Sequence, residues 1–278
     1  MTFETTGQSA LDYLHCRYGK SRLLFRGPRR KLDGKYVAFF GGTETYGKFV
    51  ELPFPTLVEE QTGRRCVNFG CLNAGADLYV NDPTLIDAAS RAAVTVVQVM
   101  GAQNMSNRFY AVHPRRNDRF LRASSLMKTV FREVDFTEFN FTRHMLSTLH
   151  RVSEEKYLMV VEELKSAWVA RMQTMLAKIP GAVVLLWVRD GRDPCRDDAH
   201  DSLGNDPLYV DDEMVDLLRP QLAGVLEVIP SAEAWGEGTR GMVFNEVEAP
   251  AAAEMPGPRV HMEIAQAVAP RITELVRP

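Results

Sequence analysis

Lys35-Tyr36-Val37-Ala38-Phe39-Phe40-Gly41-Gly42-Thr43 is a short apolar run that opens into glycines. A run too short for a helix and closed by a glycine turn marks a buried strand. After it comes a loop rich in Thr and Gly, and Pro55 opens a predicted helix over TLVEEQTG. Arg65-Cys66-Val67-Asn68-Phe69-Gly70 then supplies a second strand, about 30 residues after the first, the size of one βαβ unit. Asp82, followed by Pro83, caps a predicted helix ahead of a third strand, AVTVVQVM, residues 93–100. AVVLLWV (182–188) and GVLEVI (224–229) are the fourth and fifth strands. Strands this uniformly apolar are covered on both faces, as in a parallel sheet. The expected fold is therefore three-layer α/β/α with a five-stranded parallel sheet.

The stretch between the third and fourth strands is longer than a crossover needs, and an insertion is expected at about residues 105–180. Its first part, SNRFYAVHPRRNDRFL (106–121), is basic and aromatic without a clear period, and is read as an insertion or lid. Its second part is read as one amphipathic helix over residues 135–179, with Asp135 and Glu138 as a capping box and Leu158, Val161, Leu164, Trp168, Met172, Leu176 and Ile179 on one face. Residues 1–34, polar with a basic cluster, read as an N-terminal arm, and residues 35–278 as one domain. A last helix runs from His261 to Val276, interrupted at Pro270.

Among 278 residues, Lys+Arg 33 against Asp+Glu 36 leaves a net charge of −3, so nothing global attracts the chain to nucleic acid. Cys16, Cys66, Cys71 and Cys195 show no paired spacing, which suggests neither a disulfide framework nor a zinc site. With no apolar run long enough for a leader or a membrane span, a cytoplasmic protein without membrane association is expected. No cofactor is called for, and the composition leaves the oligomeric state open. Between Arg189 and Glu213 nine carboxylates face three arginines, a local balance of −6. This stretch, with His200, is read as a solvated loop and helix cap rather than a metal site.

In an open sheet of order 2-1-3-4-5, ligands bind past the carboxyl ends of strands one and three, where strand order reverses. Gly41-Gly42-Thr43-Glu44-Thr45-Tyr46-Gly47 and Gly101-Ala102-Gln103-Asn104 lie there. Together with Asn68-Phe69-Gly70-Cys71-Leu72-Asn73 and His261, these blocks resemble, in order, the motifs of the SGNH (GDSL-like) hydrolases. The resemblance spans roughly residues 36–110 and 182–276. It implies Thr43 as nucleophile in place of serine, His261 as general base, and Asn73, Asn104 and backbone amides as oxyanion donors. Departures are Gly42 for the family's aspartate, Asn73 for its glycine and Pro258 for the aspartate partner of the histidine. Glu254 is a candidate to orient His261 instead.

Gly42, Gln103, Arg115 and Arg116 are candidate substrate-binding residues. Between Asn107 and Arg122 there are five arginines and one carboxylate, Asp118, which suits an anionic small molecule or glycan. The expected function is hydrolysis or acyl transfer at an ester-like bond. Two alternatives stand beside it: a binding protein that has lost the triad, and a nucleotide enzyme using Gly42 to Lys48 as a GxxxxGK phosphate loop.

Overall fold

The computed structural model describes residues 11–189, 203–204 and 206–276. Most of the acidic stretch, including His200 and Cys195, lies outside the described residues. Among the described residues seven strands follow in chain order: β1 (Val37–Phe40), β2 (Cys66–Asn68), β3 (Val94–Gln98), β4 (Tyr110–His113), β5 (Arg116–Ala123), β6 (Ala182–Val188) and β7 (Gly224–Val228). Five of them form one parallel sheet in the order β2-β1-β3-β6-β7. Strand order reverses between β1 and β3, which pair from Val37↔Val94 to Phe40↔Val97.

Alternation along each strand sorts its side chains between two apolar layers. Val37 and Phe39, Val94 and Val96, and Val184 and Leu186 face a cluster closed by the helices Phe54–Thr62 and Pro258–Leu275. Ala38 and Phe40, Val97, and Val183, Leu185 and Trp187 face the larger cluster under the helices Ala76–Val80, Pro83–Arg91, Thr142–Val152 and Glu154–Ala177. This is the expected α/β/α sandwich. Asp82 caps its helix as expected, accepting from the amides of Thr84 and Leu85.

The insertion differs from its reading in two places. The basic aromatic segment contains an antiparallel hairpin, β4 with β5, whose register shifts at Ala111/Val112 and Val112/His113. Those shifts break the period of two that would have announced a strand pair. The single helix over 135–179 is instead two, Thr142–Val152 and Glu154–Ala177, divided at Ser153, whose side chain caps the second by accepting from Lys156 N. Asp135 caps only the 3₁₀ turn Phe136–Glu138. Trp168, fully buried, donates its indole N–H to Met100 O at 2.8 Å and so pins the long helix to the end of β3.

Residues of the N-terminal arm lie on the domain rather than beside it. Tyr18, Leu23 and Phe25 are buried in the larger cluster, Tyr18 and Phe25 packing edge-on to Phe69 just past β2. The last helix begins at Pro258 and continues through Pro270 to Leu275. No helix among the described residues is long and apolar enough to cross a membrane.

Candidate functional site

β1 ends at Phe40, and the chain turns through Gly41 and Gly42 into the single helical turn Thr43–Tyr46. A Cβ on Gly41 would stand 2.5 Å from Gln98 Oε1, so only glycine lets the Gln98 amide reach this turn. Gln98, the buried last residue of β3, accepts on Oε1 from Gly42 N and Thr45 N, each at 3.2 Å, and from the Thr45 hydroxyl. Its Nε2 donates to Glu44 Oε2 at 2.9 Å. One amide thus fixes the turn after β1 to the end of β3, across the point where strand order reverses. Gln98 was visible as the one side-chain amide within an apolar strand, and sequence reasoning passed over it.

Those bonds also decide the GxxxxGK pattern. A phosphate loop aims successive backbone amides outward at the anion. Here Gly42 N and Thr45 N are spent on Gln98, Tyr46 N donates to Gly42 O, and Gly47 N donates to Thr43 O. Lys48 lies with its ammonium 4.3 Å from the Phe49 ring centroid. The geometry is a helical turn and not a phosphate cradle.

Thr43 and Asn73 hold each other. The Thr43 hydroxyl donates to Asn73 Oδ1 at 3.1 Å and accepts from Asn73 N at 2.9 Å. Asn73 has φ 52°, a left-handed conformation that asparagine tolerates better than most residues, and this brings its amide and side chain to the same partner. Asn104 Nδ2 donates to Asn73 O at 3.3 Å, and the buried Thr142 hydroxyl donates to Asn104 Oδ1 at 3.0 Å. Asp118, on β5, accepts from Asn73 Nδ2 at 3.3 Å. The structure therefore brings Thr43, Asn73 and Asn104 into one network and adds Asp118 and Thr142.

Beside this network, burial holds the carboxyl of Glu44 above its ordinary pKa, with the bond from Gln98 opposing the rise and the charge of Asp206 adding to it. Asp206 pairs with Arg143 at 3.4 Å. Gln103 folds over Gly101, and its Oε1 is buried without a hydrogen-bond partner among the described residues. Its backbone carbonyl accepts from the Tyr110 hydroxyl at 2.6 Å.

His261 is placed differently. Its ring is 1% exposed, stacks on Phe54 at 5.9 Å between centroids, and accepts the Phe54 backbone N–H on Nδ1 at 3.1 Å. Pro53, the N-cap of the helix Phe54–Thr62, has no side chain that can cap, so the imidazole takes that orphan donor. Burial, with the charge of Arg26 as a lesser cause, lowers its pKa to about 3. With Nδ1 accepting, the neutral ring carries its proton on Nε2. Glu254 is exposed at the end of the helix Ala249–Ala253.

The insertion's charges are divided. Arg108 pairs with Glu163, and Arg119 lies over the Phe141 ring at 4.2 Å. Arg115 and Arg116 are exposed at the hairpin turn, and Arg115 lines a pocket with Lys20 and Arg22. The hairpin thus contributes a carboxylate to the Thr43 network and an arginine to another place. Among the described residues, no group of three or more His, Cys, Asp or Glu is placed to hold a metal ion.

The model of a protein family described as a domain of unknown function, DUF6473, matches residues 1–276. The chain belongs to the DUF6473 family. No curated protein matches this DUF6473 chain. Among solved structures it is similar to the lipase Lip_vut3 from a goat rumen metagenome, at 10% identity and a TM-score of 0.40, over 84% of this chain and 95% of that one.

Proposed function

We propose that the surface beyond β1 and β3 binds a small hydroxyl-rich molecule or glycan, on an SGNH-like frame that does not use serine-histidine chemistry. The observation that carries this is the bond from Phe54 N to His261 Nδ1. A general base must offer a free nitrogen lone pair to the nucleophile's proton. Here one nitrogen is occupied and the other carries a proton, while the Thr43 hydroxyl already gives its own proton to Asn73. Glu44, Asp118 and Asp206 are acceptors suited to sugar hydroxyls, and Asn73 and Asn104 add amides.

A second reading is hydrolysis or acyl transfer at an ester-like bond. It is favoured by the grouping of Thr43, Asn73 and Asn104, the positions that resemble the SGNH nucleophile and oxyanion donors. One assay separates the two. With p-nitrophenyl acetate, the binding reading expects no saturable turnover above that of the Thr43→Ala variant. Saturable turnover lost by about 100-fold in both Thr43→Ala and His261→Ala would overturn it in favour of the second.

A further inference from the structure

A pocket of about 400 Å³ opens where the N-terminal residues, the turn after the helix Ala76–Val80 and the hairpin turn meet. Its size falls within the range of small-molecule sites. The buried side chains of Leu23 and Leu78 form an apolar floor, and Lys20, Arg22 and Arg115 line the walls. None of these three cations has a carboxylate partner among the described residues.

One carboxylate lines the pocket, and it is already occupied. Asp82 Oδ1 accepts from Thr84 N at 2.9 Å and Leu85 N at 3.4 Å, and Oδ2 accepts from the Ser21 hydroxyl at 2.6 Å. Asp82 therefore ties the N-terminal residues to the start of the helix Pro83–Arg91, and its single charge is outnumbered by the three cations of the lining. Asn81 and Thr84 add a side-chain amide and a hydroxyl to the lining. Like charges drawn from two separate segments onto one concave surface repel one another unless an anion lies between them.

We infer that this pocket binds an organic phosphate or sulfate ester, its oxygens held by Arg22, Arg115 and Lys20 and its carbon body against Leu23 and Leu78. The planar forks of the two arginines match the paired oxygens of such groups, which a neutral ligand does not offer. The first amides of the helix Pro83–Arg91 are taken by Asp82, so the attraction comes from the side chains. This site does not rest on the Thr43 network and stands if that reading fails.

Calorimetric titration of the full chain with phenyl phosphate, phenyl sulfate, inorganic phosphate and phenol tests it. Expected are binding of at least one ester, weaker binding of inorganic phosphate and no binding of phenol. Arg22→Gln and Arg115→Gln should each weaken the ester by about tenfold or more at an unchanged melting temperature, while Thr43→Ala and Arg132→Gln, both outside the pocket lining, leave it unchanged. The preferred ester tells phosphate from sulfate. Amide shift changes in a nitrogen-15 spectrum should centre on residues 20–23, Asn81, Asp82, Thr84 and Arg115. The inference is overturned if neither ester binds, if phenol binds as well as the esters, if Arg132→Gln costs as much as Arg115→Gln, or if Thr43→Ala abolishes binding.

Discussion

His261 Nδ1 accepts the backbone N–H of Phe54 at 3.1 Å, joining the last helix to the first turn of a helix 207 residues earlier in the chain. The bond does two things at once. It caps a helix whose own N-cap is a proline, and it fixes which imidazole nitrogen carries the proton. A residue that resembles a catalytic base by its place in the sequence thereby becomes a structural acceptor.

The pH dependence of stability follows from its depressed pKa. In the unfolded chain His261 takes up a proton near pH 6.5, whereas in the fold it resists protonation down to about 3. Between those values the unfolded state binds more protons, so folding stability falls as pH drops through the window. His261→Asn, which stays neutral, should lower the melting temperature at pH 7.5 but show a flatter decline from pH 6.5 to pH 4. Parallel melting curves for the two proteins across that range would count against the assignment.

Glu44 works in the opposite sense. Burial raises its pKa above the ordinary 4.5, so the folded state holds the proton more tightly than the unfolded one. Stability from this group is present below pH 4.5 and is lost as pH rises through the folded value. Glu44→Gln keeps an oxygen for Gln98 Nε2 and removes the charge. The difference in melting temperature, variant minus natural protein, should therefore grow from pH 4 to pH 8, as thermal denaturation followed by circular dichroism would show.

Gln98 is the next test, because three donors converge on its Oε1. In Gln98→Leu the amides of Gly42 and Thr45 and the Thr45 hydroxyl lose their acceptor inside the protein. At about 1–3 kcal/mol for a buried group left unsatisfied, a loss of about 3 kcal/mol is expected. Chemical denaturation measures it, and a loss below about 1 kcal/mol would mean that the turn finds other acceptors.

The five sheet strands were legible because each is an apolar run of strand length closed by turn residues, and the Asp82 cap because an aspartate and a proline stand directly before a helical stretch. The hairpin was not, since its register slips at Val112 and its buried positions Tyr110, Val112, Phe120 and Ala123 do not alternate across the turn. Ser153 lies inside a continuous hydrophobic period that hides the helix break. At the site, Thr43, Asn73 and Asn104 were legible as residues past strand ends. The partner of His261 was not, because a backbone amide has no side-chain signature.

Arg26 carries a further prediction, since it joins the N-terminal residues to the segment that follows Thr43. Arg26 is 8% exposed, and its guanidinium lies 5.3 Å from the Tyr13 ring centroid and donates to Gly47 O, to Tyr46 O at 3.4 Å and to Glu51 O at 2.7 Å. These carbonyls run from the end of the helical turn Thr43–Tyr46 into the loop that leads to the helix Phe54–Thr62, so the fork of one arginine stands in there for a ladder of backbone bonds. A lysine ammonium cannot span carbonyls on both sides of the loop, and Arg26→Lys should cost about 2 kcal/mol or more. Arg26→Met keeps the apolar stem and removes the charge, with a similar cost and one added signature. The charge of Arg26 disfavours protonation of His261, so in Arg26→Met the His261 pKa should rise above about 3 while burial still holds it below 6.5. Histidine ring shifts followed by NMR during acid titration measure this, and hydrogen exchange at residues 46–51 measures the loosened loop. An unchanged His261 titration together with unchanged exchange would show that Arg26 neither holds the loop nor acts on the histidine.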